Sequence, residues 1–418
     1  MNDQTPISVT VNGRAYPSPK TCAIAICLDG CEPAYLDEAI SAGLMPNLAR
    51  IKAEGVDRIA HSVIPSFTNP NNMSIATGRP PEVHGICGNF LIDPDTGEAV
   101  MMNDPKWLRA PTVFAEMNRA GHRVAVVTAK DKLRALLGDG MDYASGQAIC
   151  FSSEKADQAV MDVNGIDDAS AWLGEPVPEV YSAALSEFVF AAGVKLLRDW
   201  KPDVMYLSTT DYIQHKHAPG DPVANAFYAA FDGYLGELDA MGAAIVVTAD
   251  HGMKPKHNAD GSPAVLYVQD LMDDWLGKGA ARVILPITDP YVVHHGALGS
   301  FATIYVPEGT DLGEMAARLK GVDGILTALG KEEACRTYQL PLDRMGDLVI
   351  TSTENMTLGT SESEHDLTGL DAPLRSHGGL TEQEVPFIAN RAMPDLGSAP
   401  ALRNFDVLSV ACNLASAG

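Results

Sequence analysis

Three short apolar runs in this chain each lead to an acid. Cys22 to Leu28 stops at Asp29, Val204 to Ser208 runs into Asp211, and Ala243 to Thr248 stops at Asp250 and His251. Short apolar runs bounded by polar residues read as strands buried on both faces. In open α/β sheets the chemistry gathers at the carboxyl ends of such strands. His215 lies four residues beyond Asp211, and on one helical turn the two side chains face the same way. Taken singly, each of these residues is as well read as a surface acid or a hydrogen-bonded histidine. Taken together they are hard to explain as packing. Three carboxylates converging in one crevice repel one another strongly unless cations are present, and two divalent metals would supply that charge.

Between these runs the pattern alternates strand and helix. Leu44–Glu54 reads as a helix ended by Gly55, Val56–Val63 as a strand, Thr112–Ala120 as a helix closed by Gly121, and His122–Thr128 as a strand. Val180–Trp200 and Asp221–Met241 read as long amphipathic helices, and Phe405–Leu414 as a closing one. Asn71–Thr77 follows Pro70 and reads as the first turns of a helix, which puts Thr68 just before a helix N-terminus. The expected fold is therefore α/β, with a mostly parallel central sheet flanked by helices. After His251 the strand-like segments crowd together. About 125 residues separate His251 from His377, too many for an ordinary loop. The expected division is a core of residues 1–258 and 374–418 with an inserted α+β cap, 259–373.

The net charge of −24 argues against a nucleic-acid partner, and no Lys/Arg run offers a stripe for phosphates. An anionic substrate would then need its positive charge locally, from metals and a few lysines. The seven cysteines include no CxxC pair and mostly sit in apolar runs, so free buried thiols are expected. No stretch has the length of a membrane span and the N-terminus has no basic start followed by an apolar run, so no membrane partner and a cytoplasmic location are expected. A homodimer is one assembly open to it.

Several stretches carry a resemblance. They are AICLDG around Asp29, PSFTNPNNMSIATG around Thr68, PPEVHGICGNF, VVTAKDK, STTDYIQHKHAPG, VTADHGM and, far downstream, RSHGGL around His377. The chain resembles the alkaline phosphatase superfamily of two-zinc phosphoryl-transfer enzymes and, within it, the branch that hydrolyses phosphonoacetate. Together the motifs span most of the chain. The resemblance implies an alkaline-phosphatase-like core and two Zn2+ per chain. It implies Asp211, His215 and His377 on one metal, and Asp29, Thr68, Asp250 and His251 on the other. Mixed His/Asp ligands also favour zinc over magnesium.

Thr68 is the candidate nucleophile. A metal on its oxygen would lower the hydroxyl pKa. The residues alone suit an N-cap threonine equally well. Asn89, in HGICGNF, is implied as a donor to a phosphoryl oxygen and reads otherwise as a turn residue. Lys130 and Lys132 follow the strand HRVAVVT. They are read either as a solvated helix start or, as the resemblance implies, as partners of a substrate carboxylate. His84 is expected to pack in its turn, and His217 to point elsewhere. His257 is at most a neighbour of the ligands, and His294 and His295 are structural or solvated.

The implied reaction is attack of Thr68 on the phosphorus of a small anionic phosphonate, with the departing carbon leaving as an enolate. Phosphonoacetate would give acetate and phosphate. A nucleotide pyrophosphatase/phosphodiesterase with the same metals is the alternative. It would need an aromatic-lined slot for a base, and no aromatics cluster near Thr68 in sequence. A metal- or phosphonate-binding protein without activity is the third reading, and an intact Thr68 counts against it.

Overall fold

The computed structural model describes residues 8–288, 296–393 and 401–417, so His294 and His295 lie outside the described residues. In chain order the strands of its two larger sheets are β1 (Ala23–Cys27), β2 (Val56–His61), β3 (Val124–Thr128), β4 (Ala148–Ser152), β5 (Val204–Ser208), β6 (Ala244–Thr248), β7 (Arg282–Ile284), β8 (Phe301–Tyr305), β9 (Ile325–Gly330), β10 (Leu348–Ser352), β11 (Glu384–Ala389) and β12 (Leu402–Arg403). The larger sheet has the order β12-β2-β11-β6-β1-β5-β3-β4. From β6 to β4 every neighbour is parallel, and β12 is parallel to β2. β11 runs against both of its neighbours. Every residue of β1, β3, β4, β5 and β6 is buried. Successive side chains point to opposite faces, so both faces of this half of the sheet are covered. That is why these strands read as unbroken apolar runs.

The helices that matter here are α1 (Pro46–Glu54), α2 (Thr68–Thr77), α3 (Val113–Arg119), α4 (Asp131–Leu137), α5 (Ala184–Asp199), α6 (Tyr212–Lys216), α7 (Pro222–Ala240) and α8 (Val407–Ala417). Most match the expected segments to within a few residues. Two starts differ. α2 begins at Thr68, three residues earlier than expected, because Pro70 falls in the first turn, where its missing N–H is not needed. α5 begins at Ala184, which leaves Val180 and Tyr181 outside the helix.

The second sheet, β7-β8-β10-β9, is antiparallel throughout and lies between residues 282 and 352. It is tied to the first half of the chain by hydrogen bonds to backbone carbonyls. Asn89 N–H donates to the Pro286 carbonyl at 2.8 Å. The Arg344 guanidinium donates to the carbonyls of Gly85 (2.6 Å) and Trp107 (2.8 Å). All seven cysteines are free thiols, as expected. No helix among the described residues is long and apolar enough to cross a membrane.

Candidate active site

The carboxyl ends of β1, β5 and β6 deliver Asp29, Asp211 and Asp250 into one crevice. Gly30 lets the first two loops meet. Its φ is 70°, and a Cβ there would stand 2.9 Å from the Asp211 Cβ. Asp29 N–H donates to Thr209 Oγ1, and Gly30 N–H to Asp250 Oδ1. His377 arrives from the loop before β11, with Gly378 at φ 123° pressed on Phe67 so closely that a Cβ would lie 2.2 Å from Cε1. The same loop is laced to the Thr68 segment. Ser66 N–H donates to the Gly378 carbonyl, and Ser66 Oγ donates to the Gly379 carbonyl at 2.6 Å.

Three imidazoles are aimed alike. The Nδ1 atoms of His215, His251 and His377 lie 2.8, 2.9 and 2.8 Å from the backbone carbonyls of Arg375, Gly252 and Ser66. A carbonyl only accepts, so each Nδ1 carries the proton and each Nε2 is left to face the acids. That arrangement fixes the tautomer of metal-binding histidines. His215 Nε2 is 2.9 Å from Asp211 Oδ2, and His377 Nε2 is 3.5 Å from the same oxygen. His251 Nε2 is 3.2 Å from Asp29 Oδ1 and 3.8 Å from Asp250 Oδ2. Asp211, His251 and His377 bring one ligand atom each to within 4.8 Å of one another, and so do Asp29, Asp250 and His251. His251 thus stands between two groups, where the resemblance gives it to one.

The electrostatics fit a cation. Burial pushes the Asp29 carboxyl well above the usual carboxylate range, and the Asp211 and Asp250 carboxylates push the same way. Burial raises Asp250 as well. Burial also opposes ionisation of Asp211, but the imidazoles around it, His215 foremost, draw it well below that range. His377 is driven well below the usual imidazole value by burial and then by His251, so its ring is neutral and able to ligate. Asp29 Oδ1 is buried and accepts no hydrogen bond from the described residues. A buried carboxylate oxygen without a donor is costly, and a divalent ion satisfies it. The donor set of carboxylates and Nε2 atoms suits such an ion.

Thr68 is the first residue of α2, and the N-cap position falls to Phe67. The reading of Thr68 as an N-cap is therefore corrected: its hydroxyl caps nothing and lies 3.5 Å from His251 Nε2. Thr68 shares one cavity with Asp29, Asp211, His377, Asn89, Lys130 and Lys132. Asn89 has a buried Oδ1 with no partner among the described residues. Lys130 is the residue before α4, and its ammonium lies 5.6 Å from the centre of the Tyr181 ring. Of the other histidines, His84 is buried against Ser74, and His217 turns to Asp221.

Some residues of the site were not singled out in the sequence. Asn72 donates to Asp250 Oδ2 at 3.2 Å and to the Thr68 carbonyl at 3.0 Å, while its own oxygen accepts from Tyr206 and Ser208. A run of asparagines inside a helix, where they are poor formers, was the available hint. Arg375 donates to the Gln214 carbonyl and to Tyr35 Oη, which braces the loop beside His215 and His377. Tyr181 lines the cavity and tilts against Tyr212 at 5.7 Å. Tyr181 reaches the cavity from the irregular segment before α5, and it is the one Phe, Tyr or Trp among the described lining residues.

Parallel β/α architecture, an acid-and-imidazole cluster and a hydroxyl beside it together suit metal-assisted phosphoryl transfer. The chain belongs to the type I phosphodiesterase / nucleotide pyrophosphatase family, whose model matches residues 23–380. That family is metal-dependent. The chain is similar to phosphonoacetate hydrolase from Sinorhizobium meliloti 1021, at 71% identity and a TM-score of 0.96 over 99% of this chain and 100% of that one. Crystal structures of that protein contain phosphonoacetate or phosphonoformate. Murine ectonucleotide pyrophosphatase/phosphodiesterase 5 shares the fold, with a TM-score of 0.63 at 20% identity over 94% of this chain and 95% of that one. Bis(5'-adenosyl)-triphosphatase enpp4 of Xenopus laevis is 24% identical over 249 residues, 55% of this chain and 46% of that protein. The chain spans about half the length of the curated relatives it matches.

Proposed function

We propose that this chain hydrolyses the C–P bond of phosphonoacetate to acetate and phosphate, through a phospho-threonine at Thr68 and with two zinc ions. Asp211, His215 and His377 would hold one ion, and Asp29, Thr68, Asp250 and His251 the other, with His251 near enough to serve both. Residues 259–373 are read as the cap over this centre. One observation carries the substrate reading: Thr68 and the acid cluster share a cavity with Lys130 and Lys132. The Sinorhizobium meliloti relative, with phosphonoacetate bound, supports it.

Ions bound there would act as Lewis acids that lower the pKa of a hydroxyl and neutralise phosphoryl charge. The chain's own residues do the rest. Thr68 Oγ forms the new bond to phosphorus as the C–P bond breaks, and the electron pair stays on carbon. The neighbouring carboxylate spreads that charge as an enolate, which Lys130 and Lys132 stabilise. Thr68 gives up its hydroxyl proton as it attacks, the enolate carbon takes up one proton from solvent to give acetate, and the two balance. Asn89 donates to a phosphoryl oxygen. Water then cleaves the phospho-threonine, releasing phosphate and restoring the hydroxyl.

Phosphate release from phosphonoacetate, measured beside hydrolysis of a nitrophenyl phosphodiester, tests the reading. Turnover of phosphonoacetate well above the diester is expected. The reverse order would make the chain a phosphodiesterase, for which Tyr181 beside the cavity is the favouring observation. No turnover of either would leave a binding protein.

A further inference from the structure

The cavity that holds Lys130 and Lys132 also holds a carboxylate, Glu154. It has no place in the reaction above. Glu154 follows β4 just as Lys130 follows β3. The two strands are parallel with Thr128 opposite Ser152, so the register carries Lys130 and Glu154 to the same level at the sheet's end. The backbone fixes them there: Ser153 N–H donates to the Thr128 carbonyl at 2.9 Å, and Glu154 N–H to the Ala129 carbonyl at 3.1 Å. The side chain is oriented too. Glu154 Oε2 accepts the Asp131 N–H at 2.8 Å, from the residue that separates the two lysines. Nearby cations are engaged elsewhere. Arg134 and Lys155 pair with Asp131 at 2.8 and 3.3 Å, and Glu154 forms no ion pair among the described residues.

A fixed negative charge beside the lysines is a liability for binding an anion in general. It becomes selective when the substrate carries one carboxylate and a competitor carries two. The first carboxylate can take the lysines, whereas a second, on the same short carbon chain, meets Glu154.

We infer that Glu154 is a specificity-determining residue, which admits phosphonates with a single carboxylate and turns away those with a second. The inference rests on the phosphonoacetate reading. It gives a substrate class, 2-phosphono monocarboxylates, and a reason for its edge.

The test uses the metal-loaded protein and two probes of similar bulk, 2-phosphonobutanoate with one carboxylate and 2-phosphonosuccinate with two. Their inhibition constants against phosphonoacetate turnover are compared in the parent and in Glu154→Gln, which keeps an oxygen for the Asp131 N–H. The parent should bind the monocarboxylate at least about tenfold more tightly, and Glu154→Gln should close most of that gap. Raised salt should narrow the parent's gap by screening. Equal constants in the parent would overturn the inference whatever the variant does. So would a gap that survives in Glu154→Gln, or in Glu154→Ala should the first variant fold poorly. A parent that releases no phosphate from phosphonoacetate fails the functional reading instead, and the two failures are thereby distinct.

Discussion

The rings of His251 and His377 lie face to face, with centroids 3.6 Å apart and planes 5° from parallel. The stack brings one ligand atom of each ring within 4.8 Å of the other, so the pair offers two imidazole donors side by side. His377 reaches the Asp211 group alone, while His251 belongs to both groups. His377→Ala should therefore cost one zinc per chain and most activity, and His251→Ala should weaken both sites. Metal analysis after dialysis separates the two outcomes. Two zinc ions retained by His377→Ala would sink the assignment.

Thr68→Ala should keep its metals and lose turnover by several orders of magnitude, since the attacking oxygen is gone. Thr68→Ser should keep partial activity. The hydroxyl caps no helix, so neither change should cost the roughly 1 kcal/mol expected from removing a cap. Thermal unfolding checks that point, and turnover of phosphonoacetate at the parent rate by Thr68→Ala would remove the covalent route.

Strands buried on both faces were the legible part of this chain. β5 runs over Val204–Ser208 as its uninterrupted apolar run indicates, and β6 differs by one residue. Candidate ligands were visible because they stand where those runs stop. The remainder of the site was hidden because it is built from hydrogen bonds between distant segments. Asn72 meets Tyr206, Ser66 meets Gly379 and Asp131 meets Glu154, none of which leaves a periodicity. Tyr181 was hidden for another reason: the segment before α5 is irregular, and no local pattern says where it folds.

Replacing both Lys130 and Lys132 by Ala should reduce phosphonoacetate turnover far more than hydrolysis of an aryl phosphodiester. The lost bonds belong to the substrate carboxylate. Charge-assisted bonds of about 1.5–3 kcal/mol each translate to about 10–100-fold per lysine. Equal losses on both substrates would mean that the lysines serve the phosphoryl group or the fold.

Lys256 and Glu382 form an ion pair at 2.9 Å with both side chains fully buried. Glu382 Oε2 also accepts the Gly379 N–H, and its carbonyl accepts the Gly252 N–H, so it joins the loops carrying His377 and His251. Lys256 donates in addition to the Glu354 carbonyl at 2.6 Å. Lys256→Met would strand a buried carboxylate and should cost about 3–5 kcal/mol. Adding Glu382→Gln removes the stranded charge while keeping an acceptor for Gly379, and should recover part of the loss. Denaturant unfolding of the single and double variants decides it, and a double variant weaker than Lys256→Met would show that the charge is not the issue.

His84 should make the protein acid-sensitive. Its ring is fully buried. Nδ1 accepts the Ile86 N–H at 3.1 Å and Nε2 lies 2.9 Å from Ser74 Oγ. Burial holds its pKa down at about 3, against a usual 6.5. The folded value is the lower one, so as pH falls the unfolded chain takes up this proton first. The stability that neutral His84 contributes is complete above about pH 6.5 and is lost progressively toward pH 3, by up to about 5 kcal/mol. His84→Gln removes that titration at the expense of some stability at neutral pH. Urea unfolding between pH 7.5 and 5, with chelator present throughout, should give a stability curve that falls more steeply for the parent, by up to about 1.4 kcal/mol per pH unit. Parallel curves would mean that the ring takes up a proton in the folded state.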